Sequence, residues 1–460
     1  MPVSAARQLV ELIYQAVNDI EADVESRLPG GKLAELNSPI VAPEDGLEMS
    51  PKRREALRTL QAATHQLIST LMPSGLYVLN SYASVFQKTA IDTVVGARIA
   101  DLIHSIDPDS RMGGVHVEVL AQKATMDPQK LTHILRFLAL RNIFCELSPN
   151  RWTNNRHSFP LRTDSSNSIL NALGHMREET SLPALVELPK LLLDKQVDGA
   201  FSKDPHQSAF QKYYEPGCSL FEFLAKSEGG YRSERFGKAM LEMAQANGSG
   251  MSVYKAFDWK KLGPRGTLID VGGGVGAAAY TLATYLPGWK VVVQDRPEVI
   301  KDGKKNHQRK ASTANLEFEE VDFFEEQPRH RSGRADAYFL RHVLHDWPFK
   351  SCVEILTHLR IASKPTTCLL ICETALNPPL LDPDSPILSN GGMASVSTYT
   401  RNLAMMTLLN AEERSQEEFL EILNQSGWKL QSITPLATLA DYFIIEGVPD
   451  PAWNQEAQTP

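Results

Sequence analysis

His345, in the segment FLRHVLHDWP, is the best candidate in the chain for acid–base chemistry. The apolar run before it predicts a strand, so the imidazole is expected just beyond a strand end. An imidazole titrates near neutral pH and can remove the proton of a hydroxyl group. We assign Glu373, at the end of the next predicted strand, and Glu413, in NAEERSQEEF, as the carboxylates that orient this ring. Asp346 is nearer in sequence but is expected to point elsewhere.

A nucleotide cofactor site is predicted at residues 266–300, which contain GTLIDVGGGVG and end shortly after VVVQD. The pattern indicates a strand, a turn through Gly272 and Gly274, a helix from about residue 277 and a second strand. Asp295 ends that strand, where a carboxylate can accept hydrogen bonds from ribose hydroxyls. The glycines alone suit NAD and S-adenosylmethionine (SAM) about equally. Asp270 favours SAM, because an acid there would repel a pyrophosphate but suits an amino group.

Apolar strands and helices continue to alternate after this segment, which predicts an α/β fold with a doubly wound, Rossmann-like sheet. Ligands in such sheets lie at the carboxyl ends of the strands. Asp322 is placed there to accept from an adenine amino group, with Phe323 covering the ring. The polar residues predicted at this edge are Asp270, Asp295, Asp322, Arg341 and Glu373.

The region before the sheet is predicted to be mostly helical. Residues 84–160 suggest a winged helix, with GGVHV as a strand and FCELSPNRWTNN as the wing. Its third helix is apolar rather than rich in Lys and Arg, so we expect it to form a homodimer rather than to bind DNA. Aromatic residues follow, among which Phe221 and Phe223 are candidates to contact a flat substrate. The predicted domains are an N-terminal helix and linker (1–52), a winged-helix dimerisation domain (53–180), a helical connector (181–264), a SAM-binding domain (265–450) and a flexible tail (451–460).

Composition limits the classes of function. The 460 residues carry 47 Lys and Arg against 55 Asp and Glu, a net charge of -8, which disfavours nucleic acid and anionic membranes as partners. No apolar run approaches the roughly 20 residues of a membrane helix, and no signal peptide is recognisable, so a cytoplasmic protein is expected. Cys368 and Cys372 lie about 13 Å apart on a predicted strand, too far to share a zinc ion. No metal site is predicted.

The motifs LIDVGGGVG, VVVQDRPEVI, VDFFEEQP, LRHVLHDWP, ICETALNP and NAEERSQEEF resemble, in order and spacing, those of SAM-dependent O-methyltransferases of the caffeic acid and flavonoid type, particularly the fungal branch. The resemblance covers most of the chain. It implies His345 as the base, flanked by Glu373 and Glu413. It also implies cofactor contacts at Gly272, Asp295, Asp322, Phe323 and Arg341, and acceptor contacts at Met405, Met406 and Asn410. The predicted cofactor site further includes Asp270, Gly274 and Arg296, and the predicted acceptor site further includes Phe221, Phe223 and His342.

Some positions depart from the family pattern. Arg296 replaces a leucine of plant members, Arg341 a lysine and His342 a bulky aromatic residue, and the loop from Asn377 to Thr400 is longer. His342 is predicted either to share a helical face with His345 and line the substrate side or to have a simple packing role, and the sequence favours neither. The identity of the acceptor is therefore not implied by the resemblance.

The predicted function is methyl transfer from SAM to a hydroxyl, most readily a phenolic one, of an aromatic secondary metabolite, with S-adenosylhomocysteine as product. Two alternatives remain. Some relatives of this family are pericyclases, which bind SAM but close a ring without methyl transfer; retention of His345, Glu373 and Glu413 favours methylation. A DNA-binding regulator would have to tolerate the acidic charge and an intact cofactor crevice.

Overall fold

The computed structural model describes residues 4–28, 30–38, 50–195, 198–246, 255, 257–309, 315–436 and 438–453. Part of the predicted linker, 39–49, and most of the predicted tail, 454–460, lie outside the described residues. Residue contacts divide the chain into two compact units. Unit 1 comprises Met1–Leu182, Phe221–Ser249 and Pro379–Ala394, and unit 2 comprises Pro183–Leu220, Gly250–Pro378 and Ser395–Pro460. The five predicted domains remain predictions.

The amino-terminal half is helical, as predicted. Its helices begin at recognisable caps: the Ser50 hydroxyl accepts from the Arg53 N–H (3.0 Å) before Pro51, and Asp127 does the same for Lys130 before Pro128. The helices of this half are α1 (Ala5–Arg27), α2 (Pro51–Leu71), α3 (Ser74–Tyr82), α4 (Ser84–Gly96), α5 (Ile99–Ile106), α6 (Val117–Ala124), α7 (Pro128–Ala139), α8 (Leu170–His175), α9 (Leu182–Val186), α10 (Leu188–Leu193), α11 (Ala209–Tyr214), α12 (Leu220–Lys226) and α13 (Tyr231–Ala246).

A small sheet follows the order expected for the region 84–160. Strands β1 (Val115–His116), β2 (Cys145–Ser148) and β3 (Arg151–Thr153) pair antiparallel in the order β1-β3-β2, with α6 and α7 between β1 and β2. Three apolar residues of α7, Leu131, Leu135 and Leu138, are fully buried in the core of unit 1, so they account for part of the apolar character of this helix. The dimerisation role of the winged-helix region stays a prediction.

Unit 2 is built on a mixed seven-stranded sheet in the order β6-β5-β4-β7-β8-β10-β9. The first five of these are parallel; the four inner ones, β5, β4, β7 and β8, are largely buried, whereas the edge strand β6 has no fully buried residue. Strand β10 runs antiparallel to both neighbours. The strands are β4 (Gly266–Val271), β5 (Trp289–Asp295), β6 (Leu316–Glu320), β7 (Ala337–Arg341), β8 (Cys368–Thr374), β9 (Trp428–Pro435) and β10 (Tyr442–Pro449).

Helices pack on both faces of this sheet over two apolar cores, which confirms the doubly wound prediction. The strand order reverses between β4 and β7, and the carboxyl ends of these two strands are where such folds bind ligands. Within the described residues, no helix is long and apolar enough to cross a membrane. The helices of this part of the chain are α14 (Ala277–Tyr285), α15 (Pro297–Arg309), α16 (Phe349–Ile361), α17 (Val396–Leu409) and α18 (Gln416–Gln425).

Candidate active site

The two glycines of the turn after β4, Gly272 and Gly274, differ in what lies around them. Gly272 and Gly274 both have a left-handed backbone, with φ of 66° and 61°. A side chain at Gly272 would collide with Val343, 2.8 Å from the position of a Cβ, whereas nothing lies within 4 Å of that position at Gly274. Packing therefore requires glycine at 272. At 274 the backbone stays open to a ligand, as the sequence predicts.

Asp270 lies beneath this turn and is fully buried. Its carboxylate occupies the space that a Cβ at Gly273 would fill, at 2.6 Å. Oδ2 has no hydrogen-bond partner among the described residues. Burial raises the pKa of Asp270 to about 7, although the charge of Arg341 acts to lower it. A buried acceptor without a donor suits a ligand that brings its own N–H groups.

Asp295, at the end of β5, ties the turn to the neighbouring strand. Its Oδ2 accepts from the Gly274 N–H and its Oδ1 from the Arg296 N–H, both at 2.8 Å. Each oxygen keeps a second lone pair, so the carboxylate can still accept two hydroxyl groups. Burial raises the pKa of Asp295 despite these bonds. The Arg296 side chain forms an ion pair with Glu298, 3.1 Å away.

The predicted adenine contacts differ in exposure. Asp322 is exposed, and its Oδ1 accepts from the Phe324 N–H at 3.0 Å. The Phe323 ring is half-buried, 3.6 Å from the Cβ position of Gly272, and packs edge-on against Trp347. Phe323 is therefore next to the glycine turn. Asp322 is free to face a bound group.

His345 lies in a short 3₁₀ turn, Leu344–Asp346, that follows β7. The turn is held through its backbone from two sides. Glu373 Oε1, on β8, accepts from the N–H groups of Val343 and Leu344, each at 3.0 Å. The buried Arg414 guanidinium donates to the carbonyls of Leu344 and Trp347. These bonds fix the imidazole without engaging it directly.

The imidazole itself has one strong partner. His345 Nδ1 is 2.8 Å from Glu413 Oε1, and the other oxygen of Glu413 accepts from the Thr374 hydroxyl. The backbone N–H of Glu413 donates to Asn402 Oδ1 on α17, at 2.9 Å. With Nδ1 held as a donor, Nε2 is the nitrogen left for a substrate proton. This tautomer is inferred from the hydrogen bonds.

Three carboxylates set the charge of this site. Burial lowers the pKa of His345, but the charges of Asp346, Glu413 and Glu373 outweigh burial and raise it to about 10. Burial acts to raise the pKa of Glu413, yet the charge and hydrogen bond of His345 hold it below its ordinary value. Burial raises the pKa of Glu373 to about 7. The three carboxylates therefore make the imidazole a stronger base than an isolated histidine.

Two sequence expectations about neighbouring residues were wrong. Asp346 does not point elsewhere, because the 3₁₀ turn folds it back until Oδ1 lies 3.5 Å from His345 Nε2. His342 does not share a helix with His345, since it has a left-handed backbone with φ of 53°. Its ring stacks on Tyr442 at 5.3 Å and lies 5.2 Å from the His345 ring. Burial and the charge of Arg341 lower the pKa of His342 well below its ordinary value, so this ring is neutral.

The predicted acceptor contacts are distributed over both units. Met405 and Met406 lie half-buried on α17, a helix that packs against the Leu344–Asp346 turn. Asn410 ends α17 with a left-handed backbone, and its amide donates to the Asp204 carbonyl at 2.8 Å. Phe221 and Phe223 belong to α12, in unit 1.

Sequence reasoning missed several residues that support His345. Thr374 directly follows Glu373, and this position next to a predicted site residue could have identified it. Asn402 and Arg414 gave no local signal, because their roles depend on bringing α17 and the 411–415 segment onto the turn.

The atoms of His345, Glu373 and Glu413 that could bind a cation lie within 4.8 Å of one another. Both Glu413 oxygens are already in hydrogen bonds.

Comparisons with known proteins show the family of the chain. An O-methyltransferase domain model matches residues 195–429, about half of the chain. A 4-O-methyltransferase 1 of Phanerochaete chrysosporium is 28% identical over 94% of this chain and 96% of its own length. A 3-O-methyltransferase 2 of the same fungus is 30% identical over 92% and 93%.

The solved structures give the same fold. The O-methyltransferase NcsB1 from neocarzinostatin biosynthesis, in complex with S-adenosylhomocysteine and 1,4-dihydroxy-2-naphthoic acid, superposes with a TM-score of 0.59 at 21% identity, over 81% of this chain and 98% of its own. Family model and full-length relatives together identify the enzyme. The chain belongs to the O-methyltransferase family and is a SAM-dependent O-methyltransferase.

Proposed function

We propose that this enzyme methylates a phenolic hydroxyl of an aromatic secondary metabolite, with His345 as the general base. The observation that carries the proposal is the buried His345–Glu413 pair, which directs Nδ1 to a carboxylate at 2.8 Å and leaves Nε2 for the acceptor. Removal of a hydroxyl proton is the step that a neutral phenol needs before it becomes a strong nucleophile. The naphthoic acid in the NcsB1 complex supports an aromatic acceptor.

The cofactor site fits SAM on the residues present. Asp270 offers an unpartnered buried oxygen for the amino group, Asp295 offers lone pairs for ribose hydroxyls, and Gly274 leaves its surface open. Asp322, Phe323 and Arg341 are assigned to the remainder of the cofactor. When bound, SAM supplies the electrophilic methyl group. The protein aligns the acceptor hydroxyl, excludes water and takes the proton at His345 Nε2.

The proposal is tested with SAM and a panel of phenols, by mass gain and product regiochemistry. His345→Gln should lower the rate at pH 7 by about 10² to 10⁴, the usual contribution of a general base. SAM affinity should be nearly unchanged. The exposed His133→Gln is the matched control. Full methylation by His345→Gln at pH 7 would exclude this base.

The pericyclase alternative predicts a different result in the same experiment: ring closure with SAM never consumed and no methylated product at any pH.

Asp295→Ala tests the cofactor site separately from the base. It should weaken SAM binding by roughly 1.5 to 3 kcal/mol, the scale of charge-assisted hydrogen bonds, and leave the fold intact. Addition of EDTA should leave the rate unchanged, because no cation has a role in this proposal.

We also propose a homodimer formed through unit 1. Apolar side chains are exposed along α2, α3 and α4, and α3 buries none of its residues. Tyr82 is 85% exposed and Leu79 67%. Exposed apolar side chains in such number are typical of a protein interface, and a twofold dimer covers the same patch on both copies.

A further inference from the structure

A second imidazole, that of His342, lies next to the base and is not needed for proton removal. His342 directly follows β7, and its ring centre is 5.2 Å from that of His345. The residues that contact these two rings, Tyr442 and Glu413, also belong to unit 2. The pair of imidazoles and its surroundings therefore lie within one unit of the chain.

The backbone of His342 has a conformation that few residues other than glycine adopt, with φ of 53°. On one side of it, Arg341 pairs with Cys372 of β8. On the other side, the Val343 N–H donates to Glu373 Oε1 at 3.0 Å. Strained residues persist only where their surroundings hold them, and they are concentrated at functional sites. With the backbone held on both sides, the position of the imidazole is fixed as well.

The His342 ring packs through its face and leaves an atom of its edge without a partner. It stacks on Tyr442, with 5.3 Å between the ring centres and 27° between the ring planes. Nε2, on the ring edge, is buried and has no hydrogen-bond partner among the described residues. Most buried polar atoms of side chains have a partner, so an unpaired one calls for an explanation. A ligand that brings an oxygen to Nε2 would supply the missing bond.

The two imidazoles differ in charge. Burial lowers the pKa of His342 well below its ordinary value, and the charges of Arg341, His345 and Arg401 act in the same direction. A neutral imidazole has one N–H donor and one acceptor nitrogen, so it can bind a hydroxyl or a carbonyl oxygen. In His345, burial is outweighed by the nearby carboxylates, which raise its pKa. His345 is therefore suited to take a proton, and His342 to bind an oxygen that is not methylated.

We propose that His342 Nε2 forms a hydrogen bond with a second oxygen of the acceptor, on the carbon next to the one whose hydroxyl is methylated. The enzyme then prefers acceptors with two neighbouring oxygens, which are catechols or ortho-hydroxycarbonyl compounds. A hydrogen bond spans about 2.9 Å between heavy atoms, so oxygens on adjacent ring carbons can meet two imidazoles at the observed spacing. The inference rests on the proposed function, because it needs an acceptor at His345.

Two pairs of isomers test this preference in the full-length enzyme: catechol against hydroquinone, and a naphthalenediol with adjacent hydroxyls against one with distant hydroxyls. The members of each pair carry the same number of hydroxyls and differ in the spacing of the oxygens. The measurement is kcat/KM for methyl transfer at saturating SAM. The wild type should prefer the adjacent isomer by about tenfold or more, because a buried polar atom left unpaired penalises the other isomer.

His342→Phe keeps a flat ring against Tyr442 and removes the nitrogens. It should reduce the preference to about twofold or less and leave KM for SAM within about twofold. His342→Asn suits the left-handed backbone and keeps a donor and an acceptor, so part of the preference should remain. His358→Phe is the matched control, since His358 lies on α16 and its Nδ1 is likewise buried without a partner among the described residues. It should leave the preference unchanged.

Equal rates with both isomers in the wild type would overturn the role of His342 alone, as would an unchanged preference in His342→Phe. An equal loss with both isomers in His342→Phe and His342→Asn would assign the ring to support of the site rather than to recognition of the second oxygen. The same change in His358→Phe would also contradict the inference. If the wild type methylates no phenol of either spacing, the proposed function fails and this inference fails with it.

Discussion

The imidazole of His345 has a carboxylate at each nitrogen, and the two carboxylates are not equivalent. Glu413 makes a direct hydrogen bond to Nδ1 and is itself held by Thr374 and by Asn402. Asp346 lies at Nε2, the nitrogen assigned to the acceptor, at the longer distance of 3.5 Å. Glu413 is thus suited to orient the ring, while Asp346 acts mainly through its charge.

Asp346→Asn should move the acid limb of the kcat/KM profile to lower pH. A base is active when neutral, and the Asp346 carboxylate raises the pKa of His345 by favouring the imidazolium. Loss of one such charge should lower that pKa by about one unit or more, so the neutral imidazole appears at lower pH. The measurement is kcat/KM from about pH 6 to 10. The exposed Asp382→Asn serves as control, and an unshifted limb would contradict the electrostatic role.

Glu373→Gln and Glu413→Gln should each reduce turnover without abolishing it, with losses that do not add in the double variant. Both residues hold the same imidazole, Glu413 directly and Glu373 through the backbone of its turn. Groups that act as one unit lose the same transition-state stabilisation. Single-turnover rates of the four proteins measure the coupling. Rate losses that multiply would show that the two acids act independently.

At the scale of elements, the turn between β4 and α14 contains one glycine needed for packing, Gly272, and one assigned to cofactor binding, Gly274. Gly272→Ala adds a Cβ 2.8 Å from Val343 in a left-handed backbone, whereas Gly274→Ala adds one to open space. The left-handed backbone costs roughly 1 to 2 kcal/mol at either position. The overpacking at Gly272 adds about 1 to 3 kcal/mol.

Urea unfolding should therefore show the larger loss of stability for Gly272→Ala, and calorimetry with SAM should show the larger relative loss of affinity for Gly274→Ala. Each variant controls for the other, because the backbone strain is shared. Equal stabilities would argue against the Val343 contact as the reason for glycine at 272. Unchanged SAM affinity in Gly274→Ala would remove this turn from the cofactor site.

The bounds of helices and strands were predictable from the sequence where they depend on neighbouring residues. Helix α14 begins at Ala277 and β5 ends at Asp295, as the glycine and strand patterns indicate. The orientations of His342 and Asp346 were not, because the chain leaves β7 through a left-handed residue and a 3₁₀ turn. Single dihedral angles decide where those side chains point, and no periodicity records them.

The role of Glu373 shows a second limit of prediction from the sequence. Its position at a strand end was predictable from sequence, and its type suggested a partner for His345. In the structure its Oε1 accepts instead from two backbone N–H groups, Val343 and Leu344. Backbone donors are present at every residue, so nothing in the sequence distinguishes those that a carboxylate will find. The same holds for Arg414 and the carbonyls that it binds.

At the scale of the whole molecule, the exposed apolar surface of α3 predicts the oligomeric state. Leu79→Glu with Tyr82→Glu should give a soluble monomer, because buried charges on both sides of a twofold contact face each other. Sedimentation equilibrium measures the mass. Leu381→Glu, at a site that is 88% exposed in unit 1, is the control and should stay dimeric. A wild-type monomer, or an unchanged dimer in the double variant, would contradict this interface.

The division of the chain into two interleaved units has a consequence for biosynthesis. Each unit is assembled from three separate segments, and the last segment of unit 1 ends only at Ala394. A nascent chain that has emerged as far as residue 250 therefore holds most of unit 1 but lacks the piece that completes it. Larger proteins usually fold domain by domain as they leave the ribosome. Here unit 1 cannot be completed before residue 394 has been made, and unit 2 also needs the segment that begins at Ser395. A premature stop in the last sixty or so codons therefore leaves unit 1 complete but unit 2 without part of its last segment.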